Sequence, residues 1–324
     1  MKIAFHSNQL GLRGAEVAVY DYAHFSETLL GHQSVVLYQA SNKDNDPLVV
    51  GKFRDRFPLF GYDDFQEVDG ILKREKVDRF YQLKAGENDG RLSRELPNLV
   101  HAVFPVPPEE AHGEIFAFVS EWLSEVCSQG TLPFVPHMIH LPSHDLSLRE
   151  HLKIPEEAFV FGCYGGYTSF DIPFVHQAVM AALDRRRDLY FLFMNIAQFV
   201  RHPRVFHFKG VTDLSLKVAF INTCDAMLHG RSLGESFGIA CGEFSIKNKP
   251  VAAYRDAPHR NHIHILGKKG IYYGNYEEVM TILLDISHDF VNSRTWDCYS
   301  TAFAPPPVME QFQRVFLDDP IPAV

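Results

Sequence analysis

Cysteine is scarce in this chain, and its few cysteines form neither a disulfide framework nor a zinc-binding pattern. Five of the 324 residues are cysteine, and they lie far apart without a Cys-x-x-Cys pair. Such spacing is typical of buried thiols in a reducing compartment, so we expect a cytoplasmic protein. Long apolar runs are also missing, because no segment approaches the roughly 20 apolar residues of a membrane helix. We therefore expect no transmembrane segment, while a peripheral contact with a membrane stays open.

Positive charge is in deficit as well. The chain carries 31 Lys and Arg against 40 Asp and Glu, which gives a formal net charge of −9. Because nucleic-acid surfaces are strongly basic, this balance argues against a nucleic-acid partner, and any phosphate site must be local. With 46% hydrophobic and 22% charged residues, the composition is that of a globular protein long enough for two domains.

The first strand and helix lack the Gly-x-Gly-x-x-Gly pattern of dinucleotide-binding folds. Lys2–Phe5 is predicted as a buried strand, and a polar loop and a helix follow it. The loop contains Gly11, Arg13 and Gly14, whose simplest interpretation is a tight turn that leads into the helix. The missing pattern lowers the case for a dehydrogenase.

The stretch that begins at Ala226 has the pattern of an anion site. Ala226–Leu228 is predicted as a buried strand, a polar loop with Arg231 follows, and a helix is predicted to begin near Ser236. The first amides of a helix have no partner within it, and with the positive end of the helix dipole they attract anions. We expect a phosphate group to bind near Ser236, Phe237 and Gly238.

Two carboxylates bracket this anion site, Glu235 just before the predicted helix and Glu243 two turns into it. A carboxylate is a poor phosphate ligand, but it accepts hydrogen bonds from hydroxyl groups. A ligand with both phosphates and hydroxyl-rich rings fits this pairing, and a nucleotide sugar is such a ligand. The plainer alternative is a helix-capping glutamate followed by a solvated one.

The motif Glu235-Ser-Phe-Gly-Ile-Ala-Cys-Gly-Glu243 resembles the Glu-x7-Glu signature of retaining glycosyltransferases of the glycosyl transferase group 1 type. The resemblance implies the α/β GT-B fold, with two Rossmann-like domains that face each other across a cleft. Residues 1–140 would form the acceptor-side domain, residues 141–300 the nucleotide-sugar domain, and residues 301–324 a helix that crosses back. In that family the first Glu contacts the donor sugar and the second binds the ribose hydroxyls.

The same resemblance adds candidate residues in both domains. It makes Gly11, Arg13 and Gly14 candidates in the first loop, and it suggests that His101, in Leu-Val-His-Ala-Val-Phe, lies at the active site. A buried core histidine is the alternative for His101. In the second domain the paired glycines Gly165 and Gly166 follow a predicted strand, where backbone amides have room to approach a ligand.

One expected feature of the family is absent. Many of these transferases carry an Arg and a Lys after the second domain's glycine loop, and neither residue occurs between Gly162 and Ala182. Arg231 is our first candidate to replace this charge, because its planar fork suits phosphate, and Lys217 is the second.

The order of predicted elements supports the fold independently, since strands that alternate with helices predict mostly parallel sheets. The second domain is predicted to open with an amphipathic helix at Leu146–Leu152. His259, His262 and His264 cluster further on, but their spacing lacks a metal-binding pattern, so we assign no metal.

The sequence therefore predicts a hexosyltransferase that moves a sugar from a nucleotide-diphosphate sugar to the hydroxyl of an unidentified acceptor, with retention and without a metal or other cofactor. Two alternatives stay open. One is a catalytically silent nucleotide- or carbohydrate-binding protein, which the missing Arg and Lys suggest. The other is a nucleotide-sugar epimerase of similar fold, which would need acid–base groups beside the sugar.

Overall fold

A computed structural model of the protein describes residues 1–318 and divides the chain into two compact units. The first unit comprises Met1–Met138 together with the chain from Ala302 on, and the second comprises Ile139–Thr301. Within the described residues, no helix combines the length and apolar character needed to cross a bilayer. The predicted last segment runs to residue 324, and its final six residues lie outside the described part.

The first unit is built on a sheet of six parallel strands. They are β1 (Lys2–Ser7), β2 (Gln33–Gln39), β3 (Leu59–Tyr62), β4 (Arg79–Lys84), β5 (Asn98–Ala102) and β6 (Ile115–Phe118). Their order across the sheet is β3-β2-β1-β4-β5-β6. The order reverses between β1 and β4, and in open parallel sheets such a reversal creates a crevice beyond the strands' carboxyl ends.

Four helices follow the strands of this unit, and two of them begin with a side-chain cap. They are α1 (Gly14–Thr28), α2 (Pro47–Arg56), α3 (Val68–Arg74) and α4 (Glu121–Ser128). Asp46 caps α2 by accepting a hydrogen bond from the backbone of Leu48, and Ser120 caps α4 by accepting one from Leu123. Such caps satisfy backbone N–H groups that the helix leaves without partners.

Substituting Ser120 by alanine should lower the free energy of unfolding by about 1 kcal/mol, because the Leu123 N–H then loses its buried acceptor. Urea unfolding of the purified variant measures this change. Val126 lies on the same helix and is 55% exposed, so Val126→Ala is a control substitution that removes no cap. Equal losses in the two variants would contradict the capping role.

The second unit repeats the same architecture. Its strands are β7 (Phe159–Tyr164), β8 (Leu189–Met194), β9 (Val205–Phe208), β10 (Ala226–His229), β11 (Gly234–Glu235), β12 (Val251–Tyr254), β13 (His259–Arg260) and β14 (Ile271–Tyr273). Six of them form a parallel sheet in the order β14-β12-β10-β7-β8-β9, and β11 pairs with β13. The helices are α5 (Pro173–Arg185), α6 (Leu214–Thr223), α7 (Ile239–Ile246), α8 (Asn261–Leu266), α9 (Tyr276–Asp285) and α10 (His288–Asn292).

The final helix belongs to the core of the first unit. It is α11 (Pro305–Phe312), and a π-helical turn, Gln313–Leu317, continues it. The Phe312 ring lies 5.2 Å from the Tyr22 ring, and the Phe316 ring lies 5.3 Å from the His101 ring. Both phenylalanines are fully buried, so the end of the described chain completes the hydrophobic core that its beginning starts.

Two predicted helix boundaries differ from the structure. The helix predicted at Leu146–Leu152 is not formed, and residues 148–153 make turns instead. The Thr223 hydroxyl accepts the Leu148 N–H, so a tertiary hydrogen bond replaces the helical one. The helix predicted from Ser236 begins only at Ile239, because Gly238 adopts a left-handed conformation with φ of 97°.

Candidate functional site

The loop between β10 and α7 is held by a glycine that no other residue could replace without disruption. Gly234 has φ of 72°, and a Cβ atom there would lie 2.0 Å from the carbonyl oxygen of His259. This close approach allows β11 to pair with β13, with Gly234 opposite His259 and Glu235 opposite Arg260. The backbone of Glu235 is therefore fixed by strand pairing rather than left in a mobile loop.

The Glu235 carboxylate is held at both oxygens. His229 Nε2 lies 3.0 Å from Oε1, and Arg231 Nη1 donates to Oε2 at 2.9 Å. Burial opposes ionisation, but the hydrogen bond and charge of His229 and the charge of Arg231 outweigh it and lower the pKa of Glu235 to about 2. Glu235 is thus an oriented, ionised carboxylate at neutral pH.

Two histidines stand beside this carboxylate. The backbone carbonyl of His229 accepts a hydrogen bond from the Tyr273 hydroxyl at 2.6 Å, which fixes the end of β10. The His262 ring lies 4.9 Å from the His229 ring, and burial lowers the pKa of His262 to about 3, so His262 is neutral. The backbone of Glu235 faces the His262 ring and partly offsets this lowering of the pKa.

Glu243 lies in a second cluster, on α7. Its side chain is only 3% exposed, and Lys217 Nζ lies 2.9 Å from Oε1 and 3.3 Å from Oε2. The Tyr164 hydroxyl, at the end of β7, also donates to Oε2. Lys217, predicted as a cation for the donor's phosphates, is therefore paired with the carboxylate predicted to bind ribose.

The glycine loop after β7 is a tight turn tied to its neighbours. Asn195 Nδ2 donates to the Gly165 carbonyl at 2.7 Å, and Ser169 N donates to the Gly166 carbonyl at 2.8 Å. A Cβ on Gly165 would lie 2.5 Å from Ser169 Oγ, so a larger residue at this position requires the Ser169 side chain to move.

Asp171 connects this turn to the loop after β10. Its carboxylate accepts hydrogen bonds from both the backbone and the hydroxyl of Ser232, each at 2.7 Å, and its N–H donates to the Gly230 carbonyl. A Cβ on Gly230 would lie 2.6 Å from the Phe170 ring. The two loops that follow β7 and β10 are therefore joined at the carboxyl ends of neighbouring strands.

The start of α7 has no side-chain cap. Gly238 occupies the position before the helix, while Phe237 is buried and its carbonyl accepts a hydrogen bond from Asn261 at 3.1 Å. Ser236 stands in the loop before the helix rather than inside it. The first amides of α7 keep the positive end of the helix dipole without a protein carboxylate cap.

His101 does not have the surroundings predicted for an active-site residue. It is 0% exposed in the first unit, and its Nε2 lies 2.9 Å from the Val135 carbonyl and 3.2 Å from that of Phe118. Because two carbonyls face Nε2, the proton is there, and Nδ1 accepts from the Tyr81 hydroxyl at 2.7 Å. Burial lowers the pKa of His101 to about 3. This geometry favours the alternative of a core histidine whose hydrogen bonds are satisfied.

The predicted residues of the first loop lie at the start of α1. Gly14 is the first residue of that helix, and Arg13 precedes it and forms an exposed ion pair with Asp44 at 3.5 Å. A Cβ on Gly11 would lie 2.9 Å from the Asp44 carbonyl oxygen. The loop therefore needs glycine for close backbone approach, and its role in ligand binding stays a prediction.

Stability should depend on the ionisation of Glu235. Because its pKa in the folded protein, about 2, lies below the ordinary value of 4.5, its stabilising contribution is complete above about pH 4.5 and declines as the pH falls towards 2. Urea unfolding of wild type and Glu235→Gln at pH 6 and pH 3 tests this. The difference in unfolding free energy between the two proteins should be smaller at pH 3, and a constant difference would contradict the assignment.

No family model and no curated protein sequence matches the chain. Solved structures do match over nearly its whole length. HepE of Anabaena, in complex with UDP-glucose, superposes with a TM-score of 0.74 at 15% identity, covering 97% of this chain and 98% of that chain. A glycosyltransferase from Rickettsia africae gives 0.67 at 13% identity, covering 98% and 99%. The chain has the GT-B fold.

A further structure with a similar fold belongs to a protein that is named for a different activity. A putative UDP-N-acetylglucosamine 2-epimerase from Listeria monocytogenes gives a TM-score of 0.64 at 12% identity, covering 99% of this chain and 98% of that chain. The predicted α/β fold with the GT-B architecture is thus confirmed by two parallel six-stranded sheets and by structures of glycosyltransferases. At identities this low, the similar structures establish the fold and not the reaction.

His229, Tyr164 and Asp171 were not predicted from the sequence as site residues. His229 stands at the end of β10, six residues before Glu235, and Tyr164 stands at the end of β7. Ligand sites of parallel sheets lie at such strand ends, so position alone was a usable signal.

Proposed function

We propose that the protein is a retaining glycosyltransferase that moves a hexosyl group from a UDP-sugar to an acceptor hydroxyl. The observation that carries the proposal is the ionised Glu235 carboxylate, fixed by His229 and Arg231 at the carboxyl end of the central strands. A fixed carboxylate accepts hydrogen bonds from sugar hydroxyls, and it orients the donor without forming a covalent bond.

Arg231 has the chemistry to oppose charge on the leaving diphosphate. One of its five N–H donors is used by Glu235, and the others remain for phosphate oxygens. The first amides of α7 and the turn at Gly165 and Gly166 offer further donors nearby in the chain's second unit. Such preorganised donors lower the barrier most when they face charge that develops in the transition state. This mechanism requires neither a metal nor another cofactor.

The pair of Glu243 and Lys217 is proposed to hold the nucleoside. A carboxylate has about four lone-pair positions, and Lys217 and Tyr164 do not exhaust them, so ribose hydroxyls still find acceptors. The positive charge of Lys217 is paired with the buried Glu243 carboxylate, and this leaves Arg231 as the principal cation for the diphosphate. Serving as Glu243's counter-ion, Lys217 supports donor binding without a direct phosphate contact.

The protein is proposed to act in the cytoplasm and without a nucleic-acid partner. All five cysteines have free thiols, which suits a reducing compartment. The net charge of −9 does not suit a polyanionic partner. The acceptor is proposed to be a compound with a free hydroxyl group.

A second candidate, epimerisation of a UDP-sugar, is favoured by one observation. His229 and Glu235 form a hydrogen-bonded pair of acid–base side chains, which epimerisation needs beside the sugar, and a putative 2-epimerase shares the fold. The two reactions differ in their products. An epimerase converts the donor to its isomer without an acceptor, whereas a transferase releases UDP.

Calorimetry with UDP, GDP, ADP and UDP-glucose tests the proposal. We expect UDP and UDP-glucose to bind and to raise the melting temperature by mass action, with weaker binding to Arg231→Met and unchanged binding to the exposed-site control Arg185→Met. UDP release from UDP-glucose is then followed with and without hydroxyl compounds. Failure of every nucleotide to bind at millimolar concentration overturns the proposal, and binding without any conversion identifies a catalytically silent protein.

A further inference from the structure

His229 ends strand β10 with its side chain inside the second unit. It is 4% exposed, and its backbone is held by pairing with Ala253 on β12 and by the Tyr273 hydroxyl on its carbonyl. The imidazole therefore has little freedom to move. A side chain that is fixed so firmly at a strand end can in turn fix whatever it bonds to.

The partner of the imidazole is Glu235 alone. Its Nε2 lies 3.0 Å from Glu235 Oε1, and its Nδ1 is buried without a hydrogen-bond partner among residues 1–318. Because a carboxylate only accepts, the proton is on Nε2. The geometry of His229 is thus directed at one oxygen of one carboxylate.

Arg231 cannot fix Glu235 by itself. Its ion pair with Glu235 Oε2 comes from a neighbouring loop residue that is about a quarter exposed, and a long exposed side chain retains rotamer freedom. A second donor on the other oxygen sets the plane of the carboxylate. Only His229 supplies that donor within the described structure.

We propose that His229 is the positioning residue of the sugar site, whose Nε2–H sets the orientation of the Glu235 carboxylate towards the donor's hydroxyls. The proposal rests on the proposed function for its consequence in catalysis, while the hydrogen bond itself exists without any ligand. His229 acts through Glu235 and needs no contact with the substrate. The neighbouring ring of His262 lines its other side and makes no hydrogen bond to it.

The ionisable groups around His229 and Glu235 determine which charges influence the titration of Glu235. Besides His229, the charges that act on Glu235 are those of Arg231, from the loop after β10, and His262, from α8. The charge of Glu235 acts in turn on Cys163 of β7, Cys241 of α7, His259 of β13 and Tyr299. Burial raises the pKa of both thiols, so they are neutral at physiological pH. The titration of Glu235 therefore reports chiefly on His229 and Arg231.

The first experiment needs no substrate. The side-chain carboxyl signal of Glu235 is followed by carbon-13 NMR against pH in wild type, His229→Met and His229→Gln, and Glu235→Gln identifies the signal. We expect the midpoint to move up by about one unit in His229→Met, because one charge-assisted hydrogen bond is lost. Because His229→Gln keeps an N–H donor, the titration midpoint of Glu235 in this variant should stay close to the wild-type value. An unmoved midpoint in His229→Met overturns the proposal.

The second experiment measures turnover of UDP-glucose and affinity for UDP in the same proteins. We expect His229→Met to lower kcat about 10- to 100-fold with an unchanged Kd for UDP, and His229→Gln to recover most of the loss. His151→Met, an exposed histidine of the same unit, is the control. Equal losses in the Met and Gln variants would indicate a packing role and overturn the proposal.

The two experiments separate this inference from the proposed function. If wild type binds no UDP, the proposed function fails, and the NMR titration still decides whether His229 orients Glu235. If wild type binds and converts UDP-glucose but His229→Met matches it in both experiments, the inference alone fails. Melting temperatures of all variants confirm that the comparison is between folded proteins.

Discussion

Lys217→Met is expected to lower the free energy of unfolding by about 3–5 kcal/mol. The substitution leaves the Glu243 carboxylate, only 3% exposed, without the cation that lies 2.9 Å from it. Removing one partner of a buried ion pair costs this much because the other charge keeps its desolvation penalty and loses its compensation. The Tyr164 hydroxyl alone cannot replace a full positive charge. Urea unfolding at pH 7 measures the loss.

The double variant Lys217→Met/Glu243→Leu is the informative control. Because both charges are gone, most of the lost stability should return, since apolar replacements of a buried pair are often neutral or stabilising. The double variant should still fail to bind UDP, because the proposed ribose acceptor is absent. Lys268→Met removes an exposed lysine of the same unit and should leave stability within about 0.5 kcal/mol of wild type. A similar small change in Lys217→Met would show that the pair does not stabilise the fold.

Arg231→Met is expected to lower the turnover of UDP-glucose on the order of 10²- to 10³-fold. Loss of a preorganised donor that faces a developing negative charge has effects of this size. In this chain the effect should be near the upper end, because no Arg or Lys follows the glycine loop to share the task. Initial rates of UDP release, together with the Kd for UDP, separate the loss of catalysis from the loss of binding.

Arg231→Lys distinguishes charge from geometry. Lysine keeps the positive charge but cannot donate in two directions from a planar fork, so a partial recovery of turnover is expected. Arg185→Met controls for the loss of a surface arginine on α5. Turnover of Arg231→Met equal to that of Arg185→Met would exclude Arg231 from the reaction.

The sequence predicted those features that depend on residues close to one another along the chain. Parallel sheets followed from alternating strands and helices, and the strand before Glu235 and the glycines after β7 stand where local pattern put them. Glu235 and Glu243 were identifiable because seven residues separate them in the motif. What the motif could not reveal is their partners.

Those partners depend on the packing of distant segments. Lys217 and Glu243 are 26 residues apart and meet because α6 and α7 cover the same sheet, a contact that no local pattern encodes. His101 was ambiguous for the same reason: a histidine at a strand end points either to the ligand or into the core. The Tyr81 hydroxyl and two backbone carbonyls hydrogen-bond to both ring nitrogens, which favours a position in the core.

The turn region predicted as a helix at Leu146–Leu152 shows the limit of periodicity. Its apolar spacing is helical, but Thr223 accepts the Leu148 N–H and Asn222 donates to the Leu146 carbonyl. Tertiary hydrogen bonds overrode a weak local preference, as they commonly do for short segments.

The hydrophobic core that α11 completes also governs when each part of the chain can fold during synthesis. The second unit is one continuous stretch, Ile139–Thr301, so it has all of its residues before the ribosome finishes. The first unit lacks Phe312 and Phe316 until the whole second unit has been made, so its hydrophobic core stays incomplete until then. N-terminal domains usually fold first during synthesis. Here the first unit can complete its core only after the second unit has been made. A nascent chain that stops before residue 312 leaves apolar surface around Tyr22 and Tyr81 exposed to chaperones.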